Sequence, residues 1–544
     1  MSRTVTIRAF LKVMLFLIWS VVLIVALILY YKKTYSAFSK YGVKNMTPIP
    51  LLGNGFSVLI GREHIVDNSM RIYQQYPEER FFGQYEFLRP LVIVKDIELI
   101  KQITIKDFEY FLDHKTMVDG SIDPLFGRNL FSLKGEEWKD MRSTLSPAFT
   151  SSKMKMMLPF IVEVGNRMTD TLKKQIKESD EKYLDIEAKD LTTRYANDVI
   201  ASCAFGLKVD SIAEENNEFF RMGKVITNFG ISTIVKMFMF IYLPFLTKML
   251  NIKVFSEAAA NFFKNLFMNT MNHRKANNIV RPDMIHLLMQ AKKGKLVHEE
   301  KPSKEADAGF ATVDESEVGT KNVNKDWSDL DLIAQALLFF FAGFETVSTA
   351  MTFALYQMAV TPEIQEKLIK EIKENEIKNG GKFDYNSIQN MAYMDMVISE
   401  VLRLWPPAIA LDRICTKDYN LGRANDKAPK DYIMRKGDCL QIANWAIHRD
   451  PKYFPNPTKF DPERFSEENK HNIQPFSYMP FGLGPRNCIG SRFALCEVKV
   501  MLYQILQHFE VEACERTCIP PEFIPGQFNL NLKGGNWLRL KIRQ

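Results

Sequence analysis

The sequence lacks paired cysteines. Its seven cysteines are an odd, scattered set without a Cys-x-x-Cys pair, which argues against a zinc site and a disulfide framework and fits a reducing compartment. It also lacks a dense basic tract, and its formal net charge is only +7 over 544 residues. We therefore expect no nucleic-acid partner, whereas a mild excess of Lys and Arg suits an anionic membrane surface or an acidic protein.

The N-terminal region contains an uncharged run from Val13 to Tyr31. As a helix this run would cross a hydrocarbon core of about 30 Å. It has neither the small-residue cleavage site of a signal peptide nor the amphipathic pattern of a mitochondrial transit peptide. We predict a membrane anchor and linker in residues 1–46, with the helix at about 13–31, followed by one large domain in residues 47–544.

A glycine-rich loop holds the most informative cysteine. Residues 481–490 read Phe-Gly-Leu-Gly-Pro-Arg-Asn-Cys-Ile-Gly and fit the pattern Phe-x-x-Gly-x-Arg-x-Cys-x-Gly. Gly484 and Gly490 would let the backbone approach a large flat cofactor closely. The apolar stretch after Gly490 predicts a helix, which places Cys488 at a helix N-terminus, where thiol pKa values fall. The alternative is a buried structural cysteine in a tight turn.

This loop resembles the cysteine loop of the cytochrome P450 haem-thiolate monooxygenases. The resemblance implies that Cys488 is the axial ligand of the iron of haem b, with Phe481, Gly484, Arg486 and Gly490 around the cofactor. It implies a mainly α fold with a minor β lobe behind an N-terminal transmembrane helix. Three cations precede the run at 13–31 and four follow it, so the charges alone do not orient it. The resemblance places the protein in the endoplasmic reticulum membrane with a cytosolic catalytic domain.

A long apolar helix is predicted between Leu332 and Pro362, with Glu345 as its one charged residue. Ser328 and Asp331 provide a plausible helix start. A second transmembrane span is the alternative, because the run passes a hydropathy test. Against a span, Glu345 would lie near the membrane centre, where an ionisable group is costly, and both flanks read as soluble.

Within this helix, Ala342-Gly-Phe-Glu-Thr346 resembles the oxygen-binding motif of the same family. The resemblance implies that Gly343 leaves room for a bound diatomic molecule, that Thr346 hydrogen-bonds the bound oxygen and that Glu345 helps to relay protons. The sequence departs from the family pattern at Val347, where many relatives carry Thr or Ser.

Glu400 and Arg403 are three residues apart in an apolar stretch, so they share one helix face. Alone, such a pair is usually a solvated surface pair. The resemblance implies that both meet Arg464 of Pro462-Glu-Arg-Phe465 in a buried triad that fixes the segment presenting the cysteine loop.

Two haem propionates need hydrogen-bond donors. Trp138 and Arg142, four residues apart on one predicted helix face, match the family's Trp-x-x-x-Arg. Arg413, Arg486 and His114 match further propionate contacts. Each of these cations, taken alone, is more often an ordinary surface residue.

Four other segments carry further predictions. The apolar stretch 228–250 resembles a lid region that dips into the bilayer, with plain core or lid packing as the alternative. Phe339 to Phe341 and Phe344 suggest an apolar cavity, although aromatics at helical spacing are usually core. In residues 292–326, 15 of 35 residues are charged, which predicts a solvated, flexible loop. Residues 528–540 alternate and predict a β-hairpin around Gly534-Gly535.

The amino-acid sequence around residues 342–351 resembles that of the insect microsomal branch of the family, whose members often oxidise plant toxins and insecticides. The implied reaction inserts one atom of dioxygen into a lipophilic xenobiotic, lipid or hormone, with electrons from NADPH through a diflavin reductase and with cytochrome b5 as a further donor. Lys134, Lys139 and Arg142 would offer that reductase a basic patch. The alternatives are a haem-thiolate isomerase or dehydratase of hydroperoxides and a non-catalytic membrane haem-binding protein.

Overall fold

The computed structural model describes residues 2–116, 118, 120–214, 216–227, 231–293, 309–313, 315–316, 318, 325–381 and 383–543, with the backbone alone for 2–9, 231–234, 237 and 241. The described residues form nineteen α-helices and nine strands, which confirms a mainly α fold with a minor β lobe. The helices are α1 Ser2–Thr34, α2 Phe56–Leu59, α3 Ile65–Gln74, α4 Ile97–Lys101, α5 Pro124–Gly127, α6 Gly135–Leu145, α7 Ser151–Glu178, α8 Ala188–Ile200, α9 Glu218–Thr227, α10 Ile231–Tyr242, α11 Pro244–Met249, α12 Glu257–Asn277, α13 Met284–Lys292, α14 Asp329–Val360, α15 Pro362–Lys378, α16 Tyr385–Gln389, α17 Ala392–Leu404, α18 Asn444–Ile447 and α19 Ser491–His508.

Three small sheets make up the β lobe. The strands are β1 Phe81–Glu86, β2 Arg89–Val94, β3 Tyr183–Glu187, β4 Leu411–Ile414, β5 Tyr419–Gly422, β6 Tyr432–Met434, β7 Cys439–Ile442, β8 Phe509–Glu512 and β9 Trp537–Ile542. The sheets have the orders β1-β2-β7-β4, β3-β9-β8 and β5-β6. Among the strand pairings of the described residues, the β2–β7 pairing, with Leu91 opposite Cys439, is the parallel one. The first sheet therefore joins strands from both halves of the chain.

Helix α14 is the central element of the fold. It begins at a capping box in which Ser328 Oγ accepts from the Asp331 N–H and the Asp331 carboxylate accepts from the Ser328 N–H, as the sequence predicts. The helix packs against α8, α17 and α19. Its most apolar stretch is 56% buried inside the protein, so hydropathy alone would misread this core helix as a membrane span.

Helix α1 has the opposite surroundings. Its apolar side chains from Phe10 onward are exposed, and none of its most apolar stretch is buried. An exposed apolar helix of 33 residues is long enough to cross a bilayer. The chain first packs against the domain near Tyr35, whose hydroxyl donates to the Phe87 carbonyl.

The prediction of a β-hairpin at 528–540 is wrong. Strand β9 pairs with β3 and β8, and the segment before Gly534 contributes only an isolated bridge between Phe523 and Leu532. The alternating pattern is satisfied because distant strands flank β9. Both glycines have positive φ angles and form the turn that leads into the strand.

The charged segment 292–326 lies largely outside the described residues. Within its described part, Ala311 and Val318 are buried, and Phe310 packs against Phe465. This part of the segment is therefore packed on the domain, unlike the solvated loop that its charge content predicts. The apolar residues of Gly309-Phe-Ala-Thr-Val313 account for the difference.

Candidate functional site

A cavity of about 380 Å³ lies between α14 and the cysteine loop. Cys488, Phe481 and Gly490 line it from the loop, and Gly343 and Thr346 line it from α14. Most of its other lining side chains are apolar, and they include residues of α7, α8, α14, α17 and α19. This size and character are typical of a site for a small apolar molecule or a cofactor.

The fold of the cysteine loop directs the Cys488 thiol into the cavity. The Cys488 N–H donates to the Phe481 carbonyl at 2.8 Å, and the Asn487 N–H donates to the Gly484 carbonyl at 2.9 Å. Helix α19 begins three residues after the cysteine, with Gly490 at its N-cap, as predicted. The Cys488 side chain is accessible, and the space that it faces is the cavity.

Gly484 has a packing role that the sequence did not indicate. It does not line the cavity, and its φ angle of +67° lies in the left-handed region. A Cβ atom there would lie 1.9 Å from the Thr104 carbonyl oxygen. Gly484 therefore permits close packing of the loop on the turn 102–106, whereas Gly490 borders the cavity itself.

The electrostatics of Cys488 also differ from the prediction. Burial raises the pKa of this thiol, and the Gly490 N–H and the Arg142 charge lower it by less. The prediction of a low thiol pKa at the helix N-terminus is therefore wrong for the protein without a bound cofactor. The apolar walls raise the pKa by more than the helix N-terminus lowers it. Coordination to a metal cation would deprotonate the thiol in spite of those walls.

Thr346 and Gly343 form part of the α14 wall. The Thr346 hydroxyl donates to the Ala342 carbonyl at 2.5 Å, and the exposure of Thr346 is toward the cavity. A Cβ atom at Gly343 would lie 3.0 Å from Ile200 Cδ1. The glycine thus lets α8 pack closely on α14 at the point where α14 meets the cavity. Among the four phenylalanines predicted to line a cavity, Phe339 does so, while Phe340 and Phe344 are buried in the core.

Glu345 lies on α14 beside Thr346 but does not line the cavity. Its carboxylate is 3.1 Å from the Lys189 ammonium of α8, which also donates to Ser348 Oγ and Thr349 Oγ1, each at 2.8 Å. Burial lowers the pKa of Lys189, and Glu345 partly offsets this. Sequence reasoning missed Lys189, because nothing in its local pattern distinguishes it from a surface lysine.

Buried cations form one rim of the cavity. Arg413 donates to the Asp412 and Leu483 carbonyls at 2.7 and 3.4 Å, and within the described part of the chain no carboxylate pairs with it. Burial lowers its pKa to about 10. Burial also lowers the pKa of Arg486, and the adjacent Arg413 charge lowers it further. Two buried guanidiniums this close favour an anionic group between them.

The remaining predicted rim residues also line the cavity. The Arg486 guanidinium stacks on the Trp138 indole, with its Cζ 3.9 Å from the ring centroid. His114 stacks on Phe131, and its Nδ1 is 3.1 Å from the Asp412 carboxylate. Arg142 is bound by Asn487 and by Glu315, a contact that the sequence did not indicate.

The predicted triad lies behind the cysteine loop. Glu400 accepts from Arg403 at 2.6 and 2.8 Å, and its Oε1 is 3.4 Å from Arg464 Nε. Arg403 also donates to the His448 carbonyl, and the Asp461 N–H donates to Glu400. Since Glu400 and Arg403 are fully buried, this cluster joins α17 to the segment before the loop.

These residues fit the haem that the motifs predict. One wall of the cavity presents a thiol, and apolar side chains surround it. The rim carries three buried arginines: Arg142 pairs with Glu315, Arg486 lies 3.6 Å from Asp113, and Arg413 has no carboxylate partner among the described residues. A flat, mostly apolar group with two carboxylates matches all three features.

Comparison with known proteins agrees with this geometry. The family model described as Cytochrome P450 matches residues 43–538. Cytochrome P450 9e2 of Blattella germanica is 45% identical over 521 residues, covering 93% of this chain and 94% of the relative. Probable cytochrome P450 9f2 of Drosophila melanogaster is 40% identical over 514 residues (93% and 95%). Cytochrome P450 6k1 of Blattella germanica is 37% identical over 502 residues (92% of each chain).

Proposed function

This chain belongs to the cytochrome P450 family, and we propose that it is a membrane-anchored haem-thiolate monooxygenase that inserts one atom of dioxygen into a lipophilic small molecule. The main support is that Cys488 and Thr346, from different elements, open into the same apolar cavity. The insect relatives favour a xenobiotic as substrate, with an endogenous lipid or hormone as the other class.

In this proposal, bound haem b supplies the activation of dioxygen. Cys488 would hold the iron, and Phe481 and Gly490 would border the ring. Arg413 and Arg486 would hold the propionates. Among the rim arginines, Arg413 has the most donors left, since two of its five N–H groups are used, and Arg486 uses three on backbone carbonyls. Trp138, Arg142 and His114 would complete that rim.

Proton supply would fall to Thr346 and Glu345. The Thr346 hydroxyl would hold a proton at Oγ1 inside the cavity. Glu345 would relay protons on the α8 side of α14, where the Lys189 ammonium lies 3.1 Å from its carboxylate. Gly343, which has no side chain, would leave room for a bound diatomic molecule at this point of α14. The apolar lining would exclude water from the rest of the cavity.

The surroundings of α1 support an anchor in residues 1–46 and a catalytic domain in residues 47–544. Near the end of the anchor, α10, α11 and the residue between them expose apolar side chains: Phe238, Leu243, Phe245 and Met249. Phe238 and Tyr242 pack on Phe87, beside the site where Tyr35 joins the domain. We propose that this apolar surface faces the same membrane as α1, the cytosolic side of the endoplasmic reticulum.

We expect Thr346→Ala to uncouple the reaction. Product formed per NADPH consumed should fall roughly tenfold or more, because the cavity loses a positioned hydroxyl, while peroxide rises. The measurement is parallel quantification of NADPH, product and peroxide in the reconstituted enzyme. Thr352→Ala is the matched control, since Thr352 lies on α14 but hydrogen-bonds Thr192 away from the cavity.

The same experiment separates the two alternative functions. An isomerase or dehydratase of hydroperoxides would convert its substrate without reductase or dioxygen, and Thr346→Ala would leave its yield unchanged. A non-catalytic haem-binding protein would show no substrate-dependent NADPH consumption in either form.

We expect a membrane-bound diflavin reductase to support turnover in liposomes, with cytochrome b5 as an auxiliary donor, and a mitochondrial ferredoxin system to fail. Of the predicted basic patch, Lys134 is exposed, whereas Lys139 pairs with Glu109 and Glu136 and Arg142 is buried. We therefore expect Lys139→Ala to change the rate with the reductase less than twofold. Turnover supported only by the ferredoxin system would contradict the microsomal assignment.

A further inference from the structure

A segment that the family motifs leave out reaches the cysteine loop. Residues 309–313, 315 and 316 precede α14 and pack on the side of the domain formed by α6, α17 and the segment before Cys488. The Phe310 N–H donates to the Asp395 carboxylate at 2.8 Å, and its ring lies 5.0 Å from Phe465. Ala311 is buried. These contacts hold the segment beside the predicted iron ligand.

Glu315 then closes a buried hydrogen-bonded chain to that ligand. Its two carboxylate oxygens accept from Arg142 Nε and Nη2 at 3.0 and 2.7 Å. Arg142 in turn donates to the Asn487 backbone carbonyl and to its side-chain oxygen, both at 2.7 Å. Asn487 directly precedes Cys488. A bidentate carboxylate–guanidinium pair is the strongest form of this contact.

Arg142 differs from Arg413 in the number of N–H donors that it has left for a further partner. A guanidinium has five N–H groups, and these contacts use four of those of Arg142, leaving one. Arg413 uses two with described residues, leaving three. Arg142 is therefore mainly committed to Glu315 and Asn487, while Arg413 is the better donor for a propionate.

We propose that Glu315 is a positioning residue for the haem-thiolate centre: through Arg142 and Asn487 it fixes the cysteine loop and neutralises the positive charge beside Cys488. This inference rests on the proposed function. Removing the carboxylate charge would leave Arg142, among the described residues, with only the neutral oxygens of Asn487 as hydrogen-bond partners. The loss of one negative charge beside Cys488 would then favour the reduced, more negative state of the centre.

The test compares the full chain with Glu315→Gln, Glu315→Asp and Asp140→Asn. Asp140→Asn is the matched control, because it removes another ion pair between α6 and the same connecting segment, with Lys325, without touching Arg142. A mediated redox titration gives the ferric–ferrous potential of each protein. Hydrogen–deuterium exchange of the peptide 309–316 reports whether the segment stays docked.

We expect Glu315→Gln to shift the potential to a more positive value and to speed exchange in 309–316 about tenfold or more. Asp140→Asn should keep the wild-type potential. Glu315→Asp, which keeps the charge, should keep the potential near wild type. If the Gln variant takes up no haem, the exchange comparison decides the case. A wild-type potential in Glu315→Gln, or a positive shift in Glu315→Asp, would overturn the proposal.

A different result would contradict the proposed function. In that case the ferrous–carbon monoxide complex of the wild-type protein would lack the red-shifted Soret band of thiolate ligation. The exchange comparison does not depend on haem, so unchanged exchange in Glu315→Gln would overturn the Glu315 contact whatever the wild-type spectrum shows.

Discussion

Cys488→Ala is expected to abolish oxygenation and to remove the red-shifted Soret band of the ferrous–carbon monoxide complex. Alanine has no atom that can ligate iron, and thiolate donation is what favours cleavage of dioxygen in this family. Turnover should fall to background. The measurement is the carbon monoxide difference spectrum of the purified variant, together with its haem content and product formation.

Two other thiols test whether the effect is specific. Cys203 is the one other thiol in the described cavity lining, and burial raises its pKa well above the ordinary value. Cys496 is buried on α19 and does not line the cavity. Cys203→Ala and Cys496→Ala should both keep the red-shifted band. Loss of the band in Cys203→Ala with retention in Cys488→Ala would reverse the ligand assignment.

The sequence predicted the elements whose signals are local. The capping box at Ser328 and the helix after Gly490 were both predicted from short patterns, and the structure confirms them. The family resemblance then supplied what spacing could not, namely that Cys488 and Thr346 share a cavity. Short local patterns thus predicted where these two helices begin, and the family's order of motifs predicted that they border the same cavity.

Contacts between distant, unremarkable residues could not be predicted. Lys189 and Ser348 are 159 residues apart, and Arg142 and Glu315 are 173 apart. Lysine and glutamate in a polar stretch are normally solvated, so neither residue carries a signal of its own. Burial decides their importance here, and burial depends on the whole fold.

The errors have similar causes. The hairpin prediction assumed that an alternating stretch pairs with its neighbour, whereas β9 finds its partners in β3 and β8. The expected low pKa of Cys488 considered the helix N-terminus but not the apolar walls, which act in the opposite direction. Gly484 was predicted from its motif, but its contact with Thr104 is a property of the packed loop.

Arg403→Met is expected to lower the free energy of unfolding by about 3–5 kcal/mol, because it leaves the buried Glu400 carboxylate without its main partner. Glu400 would retain only the Asp461 N–H and Arg464, whose Nε is 3.4 Å away. The measurement is urea unfolding of the detergent-solubilised protein. Lys367→Met, which breaks the exposed pair with Glu463, is the matched control and should cost less than about 1 kcal/mol.

The pH dependence of this loss in the free energy of unfolding gives a second test. Burial already raises the pKa of Glu400 above 4.5, and Arg403 opposes that shift, so its removal should raise the pKa further. A carboxyl group with a raised folded-state pKa favours folding below its ordinary pKa and loses that contribution as the pH rises through the folded-state value. The difference between wild type and Arg403→Met should therefore shrink as the pH is lowered from 8 toward 5. A deficit that is constant over this range would mean that lost packing, and not the unpaired Glu400 charge, destabilises the variant.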